Sequence, residues 1–73
     1  MAQNLEATYP AISRWVQEYG WIEIGQDEMS RSFIRALNEG GMVWEGRRAY
    51  PTLDAALQAL ETGLMAWMRE QGL

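Results

Sequence analysis

The side chains of this 73-residue chain with the chemistry to act on a substrate are ten carboxylates, six arginines and three serines. There is no Cys and no His, and every basic residue is Arg. Ser13, Ser30 and Ser32 therefore have no imidazole, thiolate or ammonium group to activate them, which excludes Ser-His-Asp and Cys-His nucleophiles. The same absences remove zinc sites and disulfides. The glycine turn Asn38-Glu39-Gly40-Gly41 lacks the lysine of a phosphate loop and does not open a helix.

Carboxylates alone can do acid/base work, and Glu23, Asp27, Glu28, Glu39 and Glu45 are the candidates. That role needs a carboxyl in an apolar pocket with a raised pKa. Only Glu23, between Ile22 and Ile24, and Glu45, beside Trp44, have apolar neighbours close in sequence. Both read as solvated residues on the outer side of a strand, where Glu ordinarily sits. Asp27-Glu28 lacks the spacing of a calcium loop. No cofactor and no metal is implied.

The elements that must position these groups are short. Tyr9-Pro10 puts proline at the first turn of a helix over 10–19, where the missing N–H costs nothing. Ile12, Trp15, Val16 and Tyr19 then share one face, and Gly20 is a stop. Residues 1–8 are expected to be loosely held. Trp21-Ile22-Glu23-Ile24, bounded by glycines, reads as a strand. The stretch Asp27 to Asn38 fits a helix capped by Asp27. It also fits a strand leading through Asn38-Glu39-Gly40-Gly41 into Met42-Val43-Trp44-Glu45. The hairpin is preferred, because the strand at 21–24 needs partners. Thr52 then caps a helix over 52–71, with Asp54 in its first turn. Leu53, Leu57, Leu60, Leu64, Trp67 and Met68 form its apolar stripe.

The order is α-β-β-β-α in one domain spanning 1–73. A two-layer α+β fold is expected, with two helices on one face of a three-stranded antiparallel sheet. A chain this short buries only about 60% of its unfolded surface, so stability rests on few groups. Trp15, Trp21, Trp44 and Trp67 are the natural core candidates.

If the helices cover Ile22, Ile24, Ile34, Ala36 and Val43, the other face presents Trp21, Glu23, Phe33, Arg35, Met42 and Trp44. Trp, Met and Arg are the residues enriched at interface centres, so Trp21, Phe33, Arg35, Met42 and Trp44 are candidate partner-binding residues. A one-residue change of register inverts this and sends Phe33, Leu37, Met42 and Trp44 toward the helices. The small residues Ala56, Ala59, Gly63 and Ala66 form a second candidate, a seam along the last helix. Gly63 costs about 1 kcal/mol relative to Ala there, unless something packs closely against it. Helix 1 or a second copy of the chain could do so.

The charge balance bears on partners. The net charge is −4, and only residues 31–48, with Arg31, Arg35, Arg47 and Arg48, lean basic. An acidic chain is poorly suited to neutralising phosphates, so nucleic acid is an unfavoured partner. Residues 1–10 lack the basic flank and apolar run of a signal peptide. No segment approaches the roughly 18 apolar residues of a membrane span. A soluble cytoplasmic protein is the expectation.

The strings Gly20-Trp21-Ile22-Glu23-Ile24-Gly25, Ser32-Phe33-Ile34-Arg35-Ala36-Leu37-Asn38-Glu39-Gly40-Gly41-Met42-Val43-Trp44-Glu45-Gly46 and Tyr50-Pro51-Thr52-Leu53-Asp54-Ala55-Ala56-Leu57 carry a resemblance. They are similar to a group of small uncharacterised bacterial proteins, frequent in cyanobacteria. The resemblance implies a bacterial origin and a stand-alone domain, and carries over no functional residues. Three function classes follow from the sequence. The first is a non-enzymatic protein-interaction module, binding a protein partner or itself as a homodimer. The second is a small carboxylate-dependent enzyme or ligand-binding domain. The third is a nucleic-acid-binding regulator.

Overall fold

A computed structural model describes residues 5–25 and 32–73. A helical turn, α1 (Leu5–Thr8), precedes a short helix, α2 (Pro10–Arg14), which runs on into a π-helical segment (Trp15–Tyr19). Three strands follow: β1 (Trp21–Ile24), β2 (Ile34–Asn38) and β3 (Gly41–Glu45). The chain then forms one long helix, α3 (Leu53–Gln71). The strands make an antiparallel sheet in the order β1-β2-β3. The helices pack on one side of it, the two-layer α+β arrangement that the pattern predicts. Of residues 1–8, expected to be loosely held, 5–8 form a helical turn, and 1–4 lie outside the described residues. The ambiguous stretch is strand from Ile34 onward, and its part from Asp27 to Arg31 lies outside the described residues.

The first helix departs from the stripe drawn in the sequence. The Gly20 N–H donates to the Trp15 carbonyl five residues back, at 2.9 Å, instead of four. This wider turn buries Trp15 fully, half-buries Tyr19 and leaves Val16 exposed. The Trp15 indole meets Trp67 edge-on at 5.3 Å and donates its N–H to the Trp21 carbonyl at 3.1 Å. One aromatic side chain thus joins helix α3 and strand β1.

Helix α3 begins as its residues dictate. Thr52 Oγ1 accepts from the Ala55 N–H at 3.0 Å. At the other end Gly72 takes the left-handed conformation, φ 76°. Ala56, Leu60, Leu64 and Met68, four residues apart, are buried against Trp15, Ile34 and Ala36. Leu53, assigned to the stripe, is exposed because the helix meets the sheet only from its second turn. Between these hydrophobic positions Glu61 turns back to α2. Its two carboxylate oxygens accept from the Ala11 and Ile12 N–H groups at 2.8 and 2.9 Å. The opening amides of α2, which no residue of its own turn can satisfy, are thereby paired.

The sheet has one irregularity, and it decides which side chains face where. Ala36 lies opposite Trp44, and Leu37 opposite Met42, so Val43 is an extra residue in β3. Such a bulge lets two consecutive residues escape strict alternation. On the helix side the cross-strand row is Ile22, Ala36 and Trp44. Val43 packs against the core beside it. The sequence reading treated Val43 and Trp44 as exclusive choices for this side, and the bulge places both there.

Candidate interaction surface on the sheet

On the side away from the helices, two rows of side chains cross the three strands. One is apolar: Trp21, Leu37 and Met42. The next is charged: Glu23, Arg35 and Glu45. Trp21 is 45% exposed and Met42 51% exposed. Two large apolar side chains thus stand half open on this side, with Leu37 between them in the row.

Each residue singled out in the sequence can now be placed. Trp21 and Met42 lie on the open side, as the proposed patch has them. Trp44 does not: the bulge turns it inward, where it is half-buried and lies against Gly63 of α3. Phe33 also departs from the patch. It is half-buried against the core, with its ring 6.4 Å from that of Tyr50. Leu37 belongs to the patch in its place. The signal was available, since Leu37 is two residues from Arg35 and so shares its side of the strand.

Arg35, a candidate partner-binding residue in the sequence, is engaged within the chain. Its Nε pairs with Glu23 Oε1 at 3.0 Å, and its Nη1 donates to the Ser32 carbonyl at 3.0 Å. The Arg35 side chain is only 12% exposed. Glu23 also accepts from the Trp21 indole N–H at 3.3 Å. Glu23 therefore links Arg35 and the Trp21 indole within the chain. Neither Glu23 nor Glu45 sits in the enclosed apolar pocket that acid catalysis needs; both are exposed.

The seam of small residues on α3 is dispersed by the packing. Ala56 is buried in the core, Ala59 is half-buried and Ala66 is exposed. A Cβ on Gly63 would overlap the Trp44 indole, so that glycine is there for a close approach within the chain. The seam is a place where α3 meets the sheet, not a continuous groove.

A second group of titratable residues lies where α2 meets α3. The Tyr9 hydroxyl donates to Asp54 Oδ1 at 2.5 Å, and Asp54 Oδ2 accepts from the Gln58 amide at 3.2 Å. The hydrogen bond to Asp54 raises the Tyr9 pKa above its ordinary value of 10.0, helped by desolvation and by the charges of Asp54 and Glu61. Beside a mostly apolar hollow of about 350 Å³ lined by Pro10, Ala11, Met65, Met68 and Leu73 lies an open polar cleft of about 550 Å³, lined by Thr8, Tyr9, Asp54, Gln58, Glu61 and Thr62. Its acidic groups are spent on internal bonds to Tyr9 and to the α2 amides. Among the described residues no three metal-ligating side chains converge, and no helix is long and apolar enough to cross a membrane. Comparison with protein-family models, with curated proteins and with solved structures finds no match.

Proposed function

We propose that this chain is a non-enzymatic protein-interaction module of the bacterial cytoplasm that self-associates through its sheet. The observation that carries the reading is the apolar row Trp21, Leu37 and Met42 on the side the helices leave uncovered. Trp and Met supply adaptable contact area with little polar cost, which suits them to the centre of an interface. The links from Glu23 to Arg35 and to the Trp21 indole restrain that indole before any partner arrives, which lowers the ordering cost of binding.

The test is the mass in solution by light scattering on a column, across a tenfold dilution. Wild-type protein is expected to rise toward twice its 8.4 kDa as concentration increases. Met42→Glu should hold it at the monomer mass with an unchanged circular dichroism spectrum, since that side chain is half exposed. A wild-type mass of one chain at every concentration overturns self-association.

A further inference from the structure

Helices α2 and α3 run in the same direction. Tyr9 meets Asp54, the Ala11 and Ile12 amides meet Glu61, and Trp15 meets Trp67, so the contacts advance along both segments together. The last turns of the two helices therefore lie toward the same end of their junction. Each carries one arginine, Arg14 in α2 and Arg69 in α3. Outside residues 31–48 these are the only basic side chains in the chain. Far apart in sequence, they line the same hollow of about 350 Å³.

The rest of the lining is apolar or already engaged. Met65 and Met68 supply the α3 wall, and Leu73 folds back beside them through its N–H bond to the Met68 carbonyl at 2.9 Å. Met65 and Leu73 are each 47% exposed, so the hollow is open from outside. Glu61 also borders it, but both of its oxygens accept from the α2 amides. The Arg69 carbonyl accepts from the Gly72 N–H at 3.1 Å, so the end of α3 is capped without help from a side chain. Among the described residues Arg69 forms no ion pair. Arg14 gives one N–H to the Tyr19 hydroxyl at 3.0 Å, with its guanidinium 5.4 Å from the centre of that ring. That contact orients the group and leaves further donors for a ligand.

We infer that this hollow binds an aliphatic monocarboxylate, its alkyl chain along Met65, Met68 and Leu73 and its carboxylate held by Arg14 and Arg69. The size suits a small ligand, whose pockets begin at about 300 Å³. From Glu61 to Arg69 the helix rises about 12 Å, at about 1.5 Å per residue, the reach of an extended decanoate chain. Charge selects the occupant. A chain of net charge −4 repels anions in general, so two guanidinium groups beside an apolar floor favour a ligand with one anionic end. A planar carboxylate matches the fork of a guanidinium donor. Charge also sets the orientation, because the reverse one would put the ligand's carboxylate against that of Glu61. The site lies between α2 and α3 and does not depend on self-association through the sheet.

The test titrates decanoate, below its micelle concentration, into the protein and follows backbone amide shifts by NMR. Saturable shifts should centre on Ala11, Arg14, Met65 and Arg69 and leave Trp21 and Met42 unmoved. Arg14→Gln and Arg69→Gln, both at exposed positions, should each weaken binding about five- to tenfold with an unchanged circular dichroism spectrum. Decanol keeps the tail and lacks the charge, and should bind about tenfold more weakly than decanoate. Met65→Glu, which sets a carboxylate on the floor at a half-exposed position, should abolish the shifts. Equal affinity for decanol and decanoate would overturn the role of the arginines. Shifts that never saturate, or that centre on Trp21 and Met42, would overturn the site itself.

Discussion

The five-membered ring of the Trp44 indole lies against Gly63, at a separation that leaves no room for a Cβ. The contact joins the bulged strand β3 to the middle of α3. It explains a glycine in a helix interior where alanine would otherwise be preferred.

Gly63→Ala should therefore reverse the usual sign. In an open helix the change stabilises by about 1 kcal/mol. Here the added methyl displaces Trp44, and overpacking of this kind costs about 1–3 kcal/mol. Urea unfolding followed by tryptophan fluorescence should give a lower midpoint. A higher midpoint would mean that Trp44 does not rest on this helix.

Trp44→Ala and Trp21→Ala should separate stability from association. A fully buried Trp→Ala change costs about 3–5 kcal/mol. Trp44 is half-buried, so about 2–4 kcal/mol is expected, with partial unfolding at 25 °C. Trp21→Ala should leave the unfolding midpoint nearly unchanged and weaken dimerisation. Equal loss of stability in both would place Trp21 in the core.

Glu61→Gln should loosen α2. The amide keeps one acceptor for the Ala11 and Ile12 N–H groups and sets an NH₂ against the other. A lost charge-assisted bond in a half-exposed place costs about 1–2 kcal/mol. Hydrogen exchange should rise over residues 11–15 before it rises in α3. Uniform acceleration across both helices would show that α2 has no independent opening.

Alkaline pH should weaken the fold through Tyr9. Its folded-state pKa is raised, first by the hydrogen bond to Asp54, so the folded form holds its proton more tightly than the unfolded chain. The contribution is complete below the unfolded value near 10 and is lost as pH rises through the higher folded value. Thermal melts from pH 8 to pH 11 should fall more steeply for the wild type than for Tyr9→Phe. Parallel curves would mean that Tyr9 titrates as a free phenol.

What could be read from the sequence was set by range. Pro10 at a helix start, the glycine-bounded strand Trp21–Ile24 and Thr52 as a cap are local choices, decided within a few residues. The α+β arrangement follows from them. The facing of Trp44 is not local. Alternation from Met42 places it outside, and only the extra residue Val43, accommodated as Trp44 settles against Gly63, brings it in. The open side was half legible for that reason: Trp21, Met42 and Arg35 stand on it, Arg35 paired with Glu23, whereas Phe33 and Trp44 are turned to the core. The close packing that Gly63 calls for comes from the same contact, with Trp44 of β3.

The bonds from Glu61 to the opening amides of α2 also set an order of events during synthesis. Their partners are 49 and 50 residues apart in the chain. A five-residue helix is far too short to persist alone in water. As the chain leaves the ribosome, α2 must wait uncapped for several seconds, at synthesis rates of roughly 5–20 residues per second, until the residue that secures it has been made. The N-terminal part of the fold is thus written first and completed last.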